Sequence, residues 1–311
     1  MKINEERIND HILKVELQRA FQNPRWILIV LIGVVLFVIG KTRFPQITVT
    51  GEYAINTTNR LMLAMSYSEL AFIVPLLVLI PYADSLLNDI QSRAIDFLIF
   101  RSGRKDYLRS KLFAIALSGG VCLVVVLLVM VLSSSVYGIN FKSGVYATGM
   151  VNETEPFGPF NWLFMTKPAL YLIYLFISAF LFGITYSLFG TAMSLVFKNK
   201  FIGFSIPIFV FQIVDFIGVS MNPQPWYLIP LRGLMPFDTA RQVGDHDLLL
   251  QLFQYLVVFL SSLIIIRLVM KSYGKKIKKK TNFQHFLLSH VIRYKVRYSV
   301  TVGCSLSFWA C

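Results

Sequence analysis

A net charge of +14 on 311 residues would suggest a nucleic-acid binder, but 56% of the residues are hydrophobic and only 15% are charged. Soluble domains carry about 25% charged residues, and the mean hydropathy here is +0.63. This composition excludes an ordinary soluble domain and points to an all-α polytopic membrane protein, with its basic residues set against anionic lipid and not nucleic acid.

Residues 1–25 are mostly polar and precede an apolar run, Trp26–Gly40. That polar lead and the following "KTRFPQ", with no small-x-small cleavage pattern, argue against a secretory signal. A span needs about 20 apolar residues. Five more candidates follow: Ser68–Tyr82 (with a start as early as Leu61), Leu112–Tyr137, Pro168–Phe197, Phe201–Ser220 and Leu248–Met270. Six spans over residues 26–270 put both ends on one side.

Lys and Arg choose that side. They gather before the first span (Lys2, Arg7, Lys14, Arg19, Arg25), in the second-to-third connection and at Lys198 and Lys200. The basic tail 271–311, with "KKIKKK", continues the pattern. By the positive-inside rule both termini are expected to be cytoplasmic; the membrane is expected to be a plasma or inner membrane. The opposite connections are long and rich in Gly, Pro, Asn and Thr, as loops are. Sequons at Asn56 and Asn152 fall there and are read as chance.

The second-to-third connection, "DSLLNDIQSRAIDFLIFRSGRKDYLRSK", is the densest in chemistry. Leu86, Leu87, Ile90, Ala94, Phe97 and Leu98 make an apolar stripe at helical spacing, with Asn88, Asp89, Ser92 and Asp96 opposite. Asp89 precedes Arg93 by four, the favourable order for a helical pair. Ser102-Gly103 breaks the helix, and a basic helix from Arg104 re-enters the membrane. A helix lying on lipid would want Lys and Arg across its polar face, yet Asp89 and Asp96 occupy this one. Phe97, Ile99 and Phe100 add more apolar surface than one stripe hides, which suits docking in a protein groove.

No catalytic pattern accompanies it. His11, His246, His285 and His290 form no H-E-x-x-H, there is no G-x-S-x-G, and no metal site is expected. "GKT" at Gly40–Thr42 lacks the phosphate-loop glycine, since position 35 is Val35. The cysteines, Cys122, Cys304 and Cys311, lack zinc spacing, and a Cys304–Cys311 disulfide is not expected in a reducing cytosol. Glu69, Asp84 and Asp215 are ionisable residues within or at the ends of spans, where charge is costly. Helix ends reaching water account for Glu69 and Asp84. Asp215, with Gln212 on its face and Arg232 as a possible partner, is a candidate for a substrate path. Gly183, Ser187, Gly190, Thr191 and Ser194 line the fourth span with small residues, for close packing within the protein or a dimer seam.

Asp89, "AIDFLIF", Ser102, Arg104, Tyr107, Leu108 and Lys111 resemble the loop between spans two and three of type-2 ABC exporter permeases, with Arg93-Ala94 where that family has Gly-Thr and Asp89 where it has Glu. The resemblance implies several things. The helix at 89–100 (Asp89, Arg93, Asp96, Phe97 and Phe100, followed by Arg104) couples to a separate cytosolic ABC ATPase subunit that binds and hydrolyses ATP, so this chain needs no cofactor. A second permease copy or a paralogue completes the path. Residues 1–25 form an interfacial helix, in which Leu13, Leu17, Ala20 and Phe21 group together while Ile8, Ile12 and Val15 point elsewhere. The segment 223–237 becomes an outer re-entrant hairpin. Two other readings remain open on the residues alone: a polytopic scaffold or assembly subunit, and a secondary transporter driven by an ion gradient.

Overall fold

The structure, a computed structural model, describes residues 2–48, 56–141, 160–221, 229–235, 237, 249 and 252–274. Most of the re-entrant segment, the basic tail beyond residue 274, Cys304, Cys311 and Asn152 lie outside the described residues. The helices are α1 (Lys2–Phe21), α2 (Arg25–Arg43), α3 (Thr57–Tyr67), α4 (Leu70–Leu77), α5 (Ser85–Gln91), α6 (Ala94–Ser102), α7 (Arg104–Ser135), α8 (Asn161–Thr166), α9 (Pro168–Phe197), α10 (Lys200–Ser220), α11 (Pro230–Leu234) and α12 (Leu252–Gly274). No strand occurs among the described residues. The chain falls into two compact units, Met1–Leu263 and Ile264–Cys311. The described part of the second is the final turns of α12.

Five helices, α2, α7, α9, α10 and α12, are long and apolar enough to cross a membrane. The protein is therefore an all-α polytopic membrane protein. The fourth and fifth expected spans coincide with α9 and, within one residue, α10. The third starts earlier than expected, because the basic helix from Arg104 runs without a break into the span.

The second span departs most from the sequence expectation. It is a pair of helices, α3 and α4, bent by 88°. Glu69 sits at the bend with φ 60, in the left-handed region. Pro75 lies inside α4, and residues 78–84 continue as successive turns. Irregular backbone at membrane depth survives only where protein satisfies its polar groups, and here side chains from four neighbouring segments do so. Pro75 has no N–H to give the carbonyl of Ala71, four residues back; Gln212 of α10 donates to that oxygen at 3.3 Å. The Cys122 thiol donates to Leu77 O, Arg25 to Ile80 O, Asn23 to Pro81 O and Thr191 to Ala83 O, at 3.1–3.3 Å.

Polar contacts also tie down the other end of the fold. Arg60, 1% exposed, donates to Ser134 O of α7 at 3.4 Å and to Gly138 O, just beyond the helix, at 2.6 Å, and so closes the carbonyl end of α7. Thr58 donates to Pro168 O at 2.8 Å, Thr57 N–H donates to Asn140 O, and Lys41 donates to Tyr137. Asn56 is a buried helix cap whose side chain accepts from Asn59 N–H. That is a structural use of the sequon residue.

The small residues of α9 serve the interior of the protein, not a seam with a second copy. A Cβ built on Gly183 would lie 2.3 Å from Gly119 O, and one on Gly119 would lie 2.4 Å from Ser187 Cβ. Gly190 is pressed against Leu79, and Gly203 of α10 against Ser194. α7, α9 and α10 thus approach backbone to backbone, which is how membrane helices gain packing without a hydrophobic driving force between them. Gly183→Val should force α7 and α9 apart and cost at least about 1–3 kcal/mol. In a thermal melt in detergent followed by size-exclusion fluorescence, the monodisperse peak should vanish at a clearly lower temperature than for the wild type.

Candidate functional site

The sequence treats 89–100 as one amphipathic helix. The structure builds it from two, because the chain turns at Ser92-Arg93. Arg93 adopts φ 59, α5 ends at Gln91, and α6 begins at Ala94. The break changes which way Asp89 faces. The expected Asp89–Arg93 helical pair is replaced by two partners on α7: Tyr107 donates to Asp89 Oδ2 at 2.5 Å, and Lys111 Nζ lies 2.7 Å from the same oxygen. Asp89 is buried, not on an outward polar face.

Lys111 is 1% exposed. An ammonium has three donors, and each finds an acceptor: Asp89, Glu16 of α1 at 2.9 Å, and the Tyr82 hydroxyl at 3.1 Å. Tyr82 in turn donates to Glu16 Oε2 at 2.7 Å. Arg19, half-exposed, lies 3.4 Å from the other Glu16 oxygen and balances the second carboxylate. The cluster therefore joins α1, the end of the bent second span, α5 and the first turns of α7. Isolated, any of these charges would cost several kcal/mol to bury; paired and fully hydrogen-bonded, they hold a defined geometry.

A second clamp lies beside it. Arg25 grips Asp84 with two parallel hydrogen bonds of 2.8 and 3.0 Å, and Asn88 adds a third at 3.2 Å. Asp84 is thus buried and paired, where the sequence suggested a helix end reaching water. Glu69 pairs with Arg43 at the other end of the fold, with both side chains part-exposed.

Against this fixed base, α6 projects. Ile95 is fully buried, whereas Phe97 is 80% exposed and Asp96 is exposed in the first turn. Phe100 lies in the last turns of α6, and Arg104 opens α7 half-buried. Gly103, at φ 78, turns the chain between the two helices. Gln91 donates to Lys198 O at 3.2 Å, which connects α5 to the turn between α9 and α10. Of the sequence-derived residues, Asp89, Tyr107 and Lys111 meet in space, while Phe97 and Asp96 face outward. Gln212 and Asp215 lie on α10, away from this cluster; Gln212 serves the Ala71 carbonyl, and Asp215 is half-buried.

Glu16 and Tyr82 were not identified from the sequence. Glu16 carried a signal, since it falls within the Leu13, Leu17, Ala20 stripe, where a lone charge needs a partner. Among the described residues, no group of three His, Cys, Asp or Glu side chains could hold a metal ion. Comparison with protein-family models, curated proteins and solved structures finds no match to this chain.

Lys111→Met would leave two buried carboxylates without their cation and should cost about 3–5 kcal/mol. Arg93→Ala, at an exposed position, should stay within about 0.5 kcal/mol of the wild type. Denaturant unfolding in micelles, monitored by tryptophan fluorescence, checks both.

Proposed function

We propose that this chain is the membrane-spanning subunit of an ATP-driven exporter of the type-2 ABC permease kind, and that a separate cytosolic subunit binds and hydrolyses ATP. The observation that carries this reading is the pairing of a projecting Phe97 with a buried base that leads straight into a span. A large, rigid aromatic side chain held out on a two-turn helix suits a protein groove. Of the residues the resemblance picks out, Tyr107 and Lys111 both bond the Asp89 carboxylate in the base.

In this reading α6 is the handle and α7 the member it moves. Force on Phe97 passes through α5 and Asp89 to Lys111, and so to the start of the third span. α1 follows, because Glu16 shares the same ammonium. The turns at 78–84 let the second span absorb the displacement without dragging α3. Both termini are cytoplasmic, the membrane is a plasma or inner membrane, and a second copy or a paralogue completes the path.

Affinity purification of the tagged chain from its native membrane should bring down a subunit that has a phosphate-binding loop and no spans. Phe97→Ala should weaken that capture by at least about tenfold, consistent with the loss of an interface hot spot of about 2 kcal/mol. Melting temperature should stay unchanged, because Phe97 packs on little of its own chain. Capture of no ATPase, or equal capture by Phe97→Ala, defeats the proposal in favour of a scaffold.

A further inference from the structure

The first turns of α7 have two opposite faces. Residues four apart on a helix lie on one side. Tyr107, Lys111 and Ile115 form one such row, and all three are buried. That row carries the bonds to Asp89 and Glu16. Lys105, Arg109 and Phe113 form the row across the helix, and all three are exposed, Phe113 by 52%. Two cations are thus followed on one outer row by a bare aromatic ring.

The charges of the inner row are already answered. Lys111 has Glu16 and Asp89, and Arg25 beside it has Asp84. The side chains of Lys105 and Arg109 make no ion pair or hydrogen bond among the described residues. Asp106 lies three residues before Arg109 but does not pair with it. Arg104 completes a turn with three basic residues against this one carboxylate.

The length of the apolar run sets the depth of the outer row. Residues 112–132 carry no charged side chain and extend for about 30 Å at 1.5 Å per residue, which matches the hydrocarbon layer. A bilayer fitted to that run puts Phe113 at its edge. Arg109 then stands about 4–5 Å beyond the edge and Lys105 about 10–11 Å beyond it, at the level of lipid phosphates. Snorkelling cations need no site of their own, but here the order along the row matches one kind of molecule. An anionic phospholipid sets its phosphate against the Arg109 guanidinium, whose fork suits phosphate oxygens, and an acyl chain against Phe113. A zwitterionic lipid brings its own cation and gains less. A soluble anion gains nothing from the ring.

We propose that Lys105, Arg109 and Phe113 form a site for one anionic phospholipid, which braces the start of α7 on the side away from Lys111. The site goes beyond the export reading and does not depend on it.

The test titrates the full chain in detergent with dioleoylphosphatidylglycerol or dioleoylphosphatidylcholine, read by native mass spectrometry. The first phosphatidylglycerol should bind about tenfold more tightly than the first phosphatidylcholine. Arg109→Gln should weaken phosphatidylglycerol binding by about fivefold, the loss expected for one basic residue at a lipid surface, and Lys105→Gln with Arg109→Gln by more than tenfold. Lys167→Gln removes one exposed cation at the other end of the fold and should leave that affinity unchanged. All these positions are exposed, so melting temperature without added lipid should match the wild type. Equal affinity for the two lipids overturns the proposal. So does an equal loss in Arg109→Gln and Lys167→Gln, which would mean attraction spread over the whole surface. Displacement of the lipid by an equal concentration of glycerol 3-phosphate would reassign the two cations to a soluble anion and overturn it too.

Discussion

The arrangement of this protein depends on one ammonium group. Lys111 stands at the start of the apolar run of α7, and its three donors are taken by groups from three other segments. Remove any one acceptor and a buried charge is left partly solvated by nothing. The cluster therefore fixes α1, α5 and α7 relative to one another more sharply than apolar packing would, since hydrogen bonds to charge are directional. The Arg25–Asp84 clamp does the same for the loop entering α2. Together they turn the basic connection, which would otherwise lie loosely against lipid, into a rigid mount for α6.

A second constraint is the accounting of backbone hydrogen bonds in hydrocarbon. The bent second span exposes carbonyls that a straight helix would satisfy internally, and those of Ala71, Leu77, Ile80, Pro81 and Ala83 accept from side chains of neighbouring segments. Gln212 illustrates this. Within its span it invites a transport role, yet its amide answers the carbonyl that Pro75 leaves without a donor. Thr191 and Cys122 look like small packing residues in sequence and act as donors in the fold.

The spans were legible in the sequence because apolar length and flanking charge suffice to place them. α9 matches the apolar run at both ends, and α10 begins one residue earlier. The bend of the second span was not legible. Ser68 and Glu69 include no glycine, so nothing in the local sequence announces the left-handed turn at Glu69. The same holds for Arg93, whose left-handed turn divides the expected helix and brings Asp89 inward. Sequence spacing located the candidate site, its sharp turn at Gly103 and the outward Phe97. It missed the long-range partners, because Glu16 and Lys111 are 95 residues apart and only tertiary packing joins them.

The length of α7 has a mechanical consequence. Its 32 residues form an unbroken rod of about 48 Å, longer than the roughly 30 Å of hydrocarbon it crosses. Lys111 pins one end and Arg60 the other, with the glycine crossing against α9 near the middle. A rod held at its waist behaves as a rocker. Tilting it by about 5° would swing each tip by about 2 Å in opposite senses, on the 1.5 Å rise per residue, so a modest shove on one face of the bilayer would be felt as an opposed step on the other.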